Sequence, residues 1–318
     1  MPVVDTHQHL YPEAVLRVLE GRRVAPYARW RDGAFTVTLA GEKPFVVDAS
    51  VHDPSFRLER TRAAGVDRAL VALSSAVGVE TLPHADAAPI LDAWASAGSA
   101  LPTGLEAWAA VPLQASADEQ VARAEAALDE GAAGVCIPTD ALTGGARSVE
   151  RLGPLLRLLE QRLAPLFVHP GAVPAPAAPA GETALDARPE WWAPTTTYVA
   201  DLHAAWLSFV AYARPAHPEL KVLFAALAGL APLHLERTAA RGGPAAELAV
   251  DTGIFYDTSS YGPRAIRAVT CLVGTTQLVD GSDHPVLPLW QRDTEPAAVT
   301  EIRADNAARL LGQAWSAT

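Results

Sequence analysis

Short apolar segments recur along the chain, and a segment of helical character follows each of them. The apolar segments are continuous rather than alternating, which is typical of parallel strands that are buried on both faces. Eight strand-helix units can be traced in this way, with predicted strands starting at Val3, Arg68, Ala107, Ala133, Pro165, Lys221, Ile254 and Thr276. This order predicts an α/β fold, a closed (β/α)8 TIM-like barrel, in one domain spanning residues 1–318. The alternative is an open doubly wound sheet, but the sequence lacks the glycine-rich turn which that fold needs after its first strand.

Two long segments interrupt the regular alternation. Residues 11–53 follow the first strand, and they contain two strand-like runs, 35–39 and 44–47, on either side of a Gly-Glu-Lys turn. We therefore predict a small β-hairpin insertion after the first strand. Residues 172–195 are rich in Pro and Ala and are too long for an ordinary connection, so we predict a functional loop there.

Composition narrows the class of protein. The 318 residues carry a formal net charge of -11, which argues against nucleic acid and anionic membrane surfaces as partners. No apolar run reaches the roughly 18 residues of a membrane span. Cys136 and Cys271 are too few for a disulfide framework. The first core strand begins almost at Met1 and leaves no room for a signal peptide. We expect a soluble cytoplasmic protein.

Potential metal ligands lie at the carboxyl ends of three predicted strands. His7 and His9 are two residues apart in an extended strand, so their side chains share one face, with backbones about 7 Å apart. His169 ends the fifth strand and Asp283 ends the eighth. In a (β/α)8 barrel these ends form a single rim, and closure brings the first and eighth strands together. Three imidazoles and one carboxylate suit one Zn²⁺ per chain, with Mn²⁺ as the alternative, and leave a position open for water or substrate.

Other residues near the predicted rim are candidates for substrate binding. Tyr11 follows the first strand closely. Trp191 and Trp192 lie on the loop above the fifth strand, where they either form an apolar or aromatic wall or anchor the loop. Arg264 follows the seventh strand, and it either binds a substrate carboxylate with two hydrogen bonds or is a surface arginine at a helix start.

Several motifs resemble one known family. Residues 5–9 (DTHQH) resemble the opening signature of the amidohydrolase superfamily. The segments that resemble its branch containing aminocarboxymuconate semialdehyde decarboxylase are 64–68 (AGVDR), 110–114 (AVPLQ), 168–171 (VHPG), 281–285 (GSDHP) and 306–312 (NAARLLG). The resemblance covers nearly the whole chain. It implies one metal, usually zinc, held by His7, His9, His169 and Asp283. Binuclear relatives carry a carboxylated lysine at the end of the fourth strand, where this chain has Cys136.

One position departs from the family pattern. In that branch the sixth strand ends in a histidine that positions or deprotonates the metal-bound water, and the match places Ala226 there. A methyl group can neither hydrogen-bond nor carry a proton. The candidates for the proton transfer are therefore Asp283 itself, its neighbour His284, and His234 in the following helix. A further possibility is that the chemistry has changed.

The resemblance favours a decarboxylase-type C–C lyase acting on a small organic substrate that is carboxylated, cyclic or unsaturated. Hydrolysis of an amide, a lactone or another cyclic bond is the alternative, and a non-catalytic binding protein derived from the family is a third. The resemblance and the size of the first insertion also predict a homodimer. In relatives an arginine from the neighbouring subunit can reach the site, and the insertion offers Arg22, Arg23, Arg29 and Arg31 for that role.

Overall fold

The computed structural model of the protein describes residues 1–174, 189–243, 251–287 and 301–312. The central part of the predicted 172–195 loop lies outside these residues. The strands in chain order are β1 (Val4–His9), β2 (Tyr27–Arg31), β3 (Ala34–Thr38), β4 (Phe45–Val47), β5 (Arg68–Ala72), β6 (Leu105–Ala110), β7 (Gly134–Pro138), β8 (Leu166–His169), β9 (Val222–Phe224), β10 (Ile254–Asp257) and β11 (Leu278–Val279). Eight of them form one parallel sheet in the order β1-β5-β6-β7-β8-β9-β10-β11. This confirms the predicted (β/α)8 barrel.

Helices pack around the outside of this sheet. The α-helices of the described residues are α1 (Glu13–Glu20), α2 (Pro54–Ala63), α3 (His84–Ser99), α4 (Ala117–Asp129), α5 (Asp140–Thr143), α6 (Ala146–Arg162), α7 (Trp192–Thr195), α8 (Thr197–Ser208), α9 (Leu235–Ala240), α10 (Pro263–Val273) and α11 (Asn306–Leu311). Short 3-10 or π turns extend or link some of them, and the 3-10 segment Ala226–His234 is interrupted by a kink. Among the described residues no helix is both long and apolar enough to cross a bilayer.

The barrel closes where β1 meets the chain that leaves β11. The backbone N–H and the hydroxyl of Thr6 both donate to the carbonyl of Asp280, at 2.7 and 2.8 Å. Further along the seam, the His9 amide donates to the His284 carbonyl at 2.7 Å, and the Asp283 amide donates to the His7 carbonyl at 2.8 Å. These bonds satisfy backbone groups that the edges of an open sheet would expose. They also fix the two ends of the chain beside each other at the rim.

Large side chains fill the barrel interior beneath the rim. Trp108, Phe167 and Phe255 are buried in one apolar cluster together with inward-facing residues of the other strands. The indole N–H of Trp108 donates to the Thr6 carbonyl at 3.0 Å, which ties β6 to β1 across the interior. The Phe167 ring lies 5.0 Å from the His7 ring, so this aromatic layer forms the floor of the rim site.

The insertion after β1 contains one helix and one strand more than the sequence predicts. The predicted hairpin is present as the antiparallel pair β3 and β4, and β2 adds a third strand on the other side of β3. Helix α1 precedes this sheet and buries Val15, Leu16 and Leu19. Neither α1 nor β2 was predicted, because both are short and buried mainly against the rest of the insertion and α3 rather than in the barrel.

Candidate metal centre

The side chains of His7, His9, His169 and Asp283 converge at the carboxyl end of the barrel. Each offers one potential ligand atom, and these atoms all lie within 4.8 Å of one another. Nε2 of His9 is 3.1 Å from Nε2 of His7 and 3.0 Å from Oδ1 of Asp283. The histidines are buried and Asp283 is partly exposed, so the cluster is open on the side of the carboxylate. This set of donors could hold a metal ion.

The Nδ1 atoms of the three rings, which face away from the centre of the cluster, also have hydrogen-bond partners. Nδ1 of His169 lies 2.9 Å from the carbonyl of Pro170, and Nδ1 of His9 lies 3.4 Å from the carbonyl of Ala72. A carbonyl can only accept a hydrogen bond, so these contacts place the proton on Nδ1 and leave the lone pair of Nε2 facing the centre. Nδ1 of His7 lies 2.7 Å from Oδ2 of Asp257. This arrangement is the one that metal-ligating histidines adopt, and the residues present fit a divalent cation.

Burial keeps two of the histidines in the neutral form that metal binding needs. Burial is the largest cause of the lowered pKa of His9, and the charge of His7 lowers this pKa further. Burial likewise lowers the pKa of His169, helped by both neighbouring imidazoles. Burial would also lower the pKa of His7, but the charge and hydrogen bond of Asp257 outweigh it and raise that pKa.

Asp257 contacts the potential ligand His7, and our sequence reasoning did not single it out. It ends β10 and is completely buried. While Oδ2 contacts His7, Oδ1 accepts from the amides of Ala226 and Ser259 at 2.8 and 2.9 Å and from the Ser259 hydroxyl at 2.5 Å. Burial raises the pKa of this carboxyl, but the His7 charge and these donors outweigh burial and lower it. The signal was present, since Asp257 is a carboxylate at a strand end just as Asp283 is.

Asp283 is positioned by a second buried carboxylate. Asp5 accepts from the amide and the hydroxyl of Ser282, at 2.8 and 2.6 Å, and from the side-chain amide of Gln8 at 2.8 Å. Asp283 itself has a left-handed backbone, with a φ of 59°. That conformation is uncommon for a residue with a side chain, and Asp tolerates it better than most. The Asp5 contacts therefore hold the turn that directs the Asp283 carboxylate at the histidines.

Ala226 contributes its backbone rather than its side chain. Its amide donates to Asp257, and its φ of 46° begins a left-handed turn that continues through Leu230. Four of the five residues in this turn carry side chains that disfavour such a conformation, so the surrounding packing must hold it in place. Ala226 is thus connected to His7 through Asp257, although its own side chain carries no titratable group. This is the position at which the resemblance predicts that the family histidine is missing.

The other candidate proton carriers lie elsewhere. Nδ1 of His284 is 3.3 Å from the carbonyl of Leu287. Burial, followed by the charge of Arg57, lowers the pKa of His284 to about 4. Arg57 itself binds the carbonyl of His9 and the side chain of Gln8, on the α2 side of β1. His234 is exposed, with its ring 4.7 Å from that of His203. The structure brings neither His284 nor His234 into the cluster of potential ligands.

The predicted substrate-binding residues are divided between the interior and the surface. Tyr11 is buried, its hydroxyl bonds with Ser74, and burial, with a contribution from the Asp283 charge, raises its pKa. Trp191 is 61% exposed and Trp192 39% exposed, and their rings pack on each other at 5.7 Å. Arg264 is exposed in the first turn of α10. Tyr11 therefore lies in the interior, whereas the other three face solvent to a large extent.

A buried glutamate lies on the β5 side of the rim. The hydroxyl of Ser75 donates to Oε1 of Glu80 at 2.6 Å and lies 3.6 Å from the sulfur of Cys136. Oε2 of Glu80 has no hydrogen-bond partner within the part of the chain that the structure describes. Burial raises the pKa of Glu80 to about 7. Our sequence analysis assigned no role to this residue, because a single glutamate in a loop gives no pattern.

Comparison with known proteins finds similarity in structure alone. No protein-family model matches the sequence, and no curated protein matches it. Among solved structures, the IDCase of Metarhizium anisopliae in apo form has a TM-score of 0.73 at 17% identity, over 98% of this chain and 97% of that one. A structure named as an amidohydrolase II has a TM-score of 0.69 at 21% identity, over 97% and 99% of the two chains. The 5-carboxyvanillate decarboxylase of Sphingomonas paucimobilis has a TM-score of 0.69 at 15% identity, over 98% of each.

These neighbours confirm the resemblance at the level of the fold, since the chain shares its whole architecture with an amidohydrolase and with decarboxylases. Two further neighbours, another 5-carboxyvanillate decarboxylase and a dihydroxybenzoic acid decarboxylase, hold manganese.

The first prediction concerns metal content. We expect the purified protein, incubated with Zn²⁺ or Mn²⁺ and desalted, to retain one ion per chain by mass spectrometry. His169→Ala removes one of three nitrogen donors and should lose most of that metal. His203→Ala, the same change at a histidine outside the cluster, serves as the control. Full occupancy in His169→Ala would show that the site is misplaced.

The second prediction concerns Asp257. Asp257→Asn keeps the shape of the side chain but removes the charge that orients His7, so metal affinity should fall about 10–100-fold in a competition titration with a chelator. Asp118→Asn, at an exposed position in α4, should leave the affinity unchanged. An unaltered dissociation constant in Asp257→Asn would mean that the contact with His7 has no part in metal binding.

The third prediction concerns Glu80 and pH. Its pKa rises from 4.5 in the unfolded chain to about 7 in the folded protein, so its contribution to stability is full below pH 4.5 and is lost as the pH rises through 7. The loss is on the order of 3 kcal/mol. Glu80→Gln mimics the neutral acid, so thermal denaturation should show a higher melting temperature than the wild type at pH 8 and a much smaller difference at pH 5. Glu130→Gln, at an exposed position, should show no such pH dependence. A pH-independent effect of Glu80→Gln would refute the assignment.

Proposed function

We propose that the protein is a metal-dependent decarboxylase that releases CO₂ from a small aromatic or unsaturated carboxylic acid. One observation carries the proposal: a complete set of three histidines and one aspartate lies at the rim of a barrel whose solved neighbours include decarboxylases. Zinc and manganese both suit the donors, and manganese is the metal in two neighbours. A divalent metal bound there would act as a Lewis acid toward the oxygens of the substrate.

Residues of the chain would supply the proton that the reaction needs. Decarboxylation needs a proton at the carbon that bears the carboxylate, and the electrons of the broken C–C bond return to that carbon as CO₂ leaves. We assign this task to Asp283, because its Oδ1 faces the histidines and the residue is partly exposed; its Oδ2 would carry the proton. The protonated carboxyl gives its proton to the carbon, becomes a carboxylate, and takes up a new proton from solvent water before the next turnover. Tyr11 follows β1, and burial raises the pKa of its hydroxyl, which stays protonated.

The aromatic floor and the buried histidines suit a planar ring. Phe167 lies beneath His7 and His169, with ring centroids 5.0 and 5.8 Å away, and offers an apolar ring there. Apolar surroundings strengthen the electrostatic contacts of a reacting carboxylate. A ring is a suitable electron sink for this reaction, and 5-carboxyvanillate and 2,6-dihydroxybenzoate, named for neighbouring enzymes, are the compounds to test first.

We also propose a homodimer in the cytoplasm. The insertion exposes Val24, Trp30 and Val46, and contact with a second copy would bury such side chains. Cys136 and Cys271 are free thiols, which suits a reducing compartment. Light scattering that gave a monomer at micromolar concentration would contradict the dimer.

The fourth prediction tests the reaction and its proton carrier together. Protein loaded with manganese or zinc should release CO₂ from an aromatic acid and should leave amides and lactones intact; release of amine or ring-opened acid would instead identify a hydrolase. At full metal occupancy, His284→Ala should keep turnover within a few-fold of wild type, because Asp283 carries the proton. Loss of a general acid or base costs about 10²–10⁴-fold, so a drop of that size would assign the proton to His284.

A further inference from the structure

Arg57 is a buried arginine of α2 that contacts the end of β1. It lies in the first turn of the helix and is 1% exposed, whereas an arginine is almost never fully buried unless it is paired. Its Nη1 donates to the carbonyl of His9 at 2.8 Å and to Oε1 of Gln8 at 3.2 Å. Its Nε and Nη2 donate to the carbonyl of Val51 at 3.2 and 2.9 Å. One side chain thus joins the end of the insertion to the strand that carries two of the potential ligands.

Gln8 connects Arg57 to Asp5. The amide oxygen of Gln8 accepts from Arg57, and its amide nitrogen donates to Oδ2 of Asp5 at 2.8 Å. An amide oxygen only accepts and an amide nitrogen only donates, so a cation on one side and a carboxylate on the other fix the orientation of this side chain. The pairing of β1 with β5 is irregular between Asp5 and Gln8, and within this stretch Oδ1 of Asp5 accepts from the amide of His7 at 3.3 Å. The side chains of Asp5 and Gln8 therefore support the backbone on both sides of His7.

Asp5 extends these contacts across the seam to the turn of Asp283. It accepts from the amide and the hydroxyl of Ser282 at 2.8 and 2.6 Å, and the same hydroxyl accepts from the amide of His284 at 3.1 Å. Asp283 lies between these two residues with a φ of 59°, a conformation that needs support from its neighbours. A continuous path of hydrogen bonds therefore runs from α2 to the turn that carries the carboxylate ligand.

The two charged residues of this path have opposite signs. Asp5 and Arg57 are both buried, and a buried charge is costly unless other groups compensate it. Loss of the guanidinium would remove the cation that Gln8 connects to Asp5, and it would remove a donor from the carbonyl of His9. All four potential ligand side chains would still be present, so the expected consequence is a change in their positions.

We propose that Arg57 is a positioning residue of the candidate metal centre. Through Gln8 and Asp5 it holds the turn that carries Asp283, and through a carbonyl it holds the end of β1. It contributes no ligand atom to the cluster and acts only through these residues. The inference rests on the metal binding that the proposed function requires, and it does not depend on which reaction follows.

The test measures the dissociation constant of manganese by competition with a chelator. Arg57→Met keeps an unbranched side chain without its donors, and the affinity should fall about 10–100-fold, the usual cost of losing a group that orients metal ligands. Gln8→Met removes the connection to Asp5 and should weaken binding at least about fivefold. In the double variant the affinity should lie within about threefold of that of Arg57→Met, because both changes interrupt one path and their effects are not additive.

Two further variants of α2 separate positioning from a general loss of stability. Leu58→Ala removes a buried side chain that packs with Ala69 and Leu105, so it should lower the melting temperature and leave the manganese affinity unchanged. Arg60→Met is the same change as Arg57→Met at an exposed position and should alter neither quantity. The electron paramagnetic resonance spectrum of bound manganese reports the arrangement of its ligands. It should change in Arg57→Met and Gln8→Met and match the wild type in Leu58→Ala.

The proposal is wrong if Arg57→Met binds manganese as tightly as the wild type, or if the double variant shows the product of the two single losses. It is also wrong if Leu58→Ala weakens binding as much as Arg57→Met does, or if the wild type binds no manganese. Should Arg57→Met not fold, Gln8→Met decides: an unchanged affinity overturns the proposal, and a loss of affinity with an altered spectrum supports it. Failure of the proposed function gives a different result, since the variants would then show the expected affinities while the loaded wild type releases no CO₂ from an aromatic acid.

Discussion

Hydrogen bonds at the seam between β1 and the chain leaving β11 close the barrel and also bring the four potential metal ligands together. Thr6 and His9 donate their amides across this seam, and the amide of Asp283 donates back to the carbonyl of His7. Asp5 strengthens the seam through Ser282, so a buried carboxylate at the first strand holds the ligand that comes from the far end of the chain. Because closure and ligand placement use the same bonds, a loss of register at this seam would separate Asp283 from the histidines. Closure of the barrel therefore brings together potential ligands that are far apart in the sequence.

Buried hydrogen-bond acceptors near this seam orient the three histidines. Asp257 and two backbone carbonyls engage the outer nitrogens of the three imidazoles, so the inner nitrogens face one another across the centre. Asp257 in turn depends on the amide of Ala226 and on Ser259. The chain thus uses the backbone at Ala226 to support His7, and it has no imidazole at that position. Our proposal therefore assigns proton transfer to Asp283, the partly exposed member of the four potential ligands.

Much of this could be predicted from the sequence. Continuous apolar strands separated by helical segments predicted the barrel, and His7, His9, His169 and Asp283 could be grouped because strand ends share one rim. Helix α1 and strand β2 were missed, because short elements that pack within an insertion have no periodicity long enough to identify them. Asp257 was missed although it obeys the same strand-end rule, and Glu80 was missed because a single carboxylate in a loop becomes informative only when the fold brings partners to it. Resemblance to a family supplied the expectation at Ala226, but only the structure gives its backbone conformation and its contact with Asp257.

The central claim is that one divalent metal lies among these four side chains. Anomalous diffraction from crystals grown with manganese tests it directly. We predict one strong peak per chain, within bonding distance of Nε2 of His7, His9 and His169 and of a carboxylate oxygen of Asp283. A structure at full manganese saturation with no peak at this position, or with its peak at another set of residues, would contradict the account.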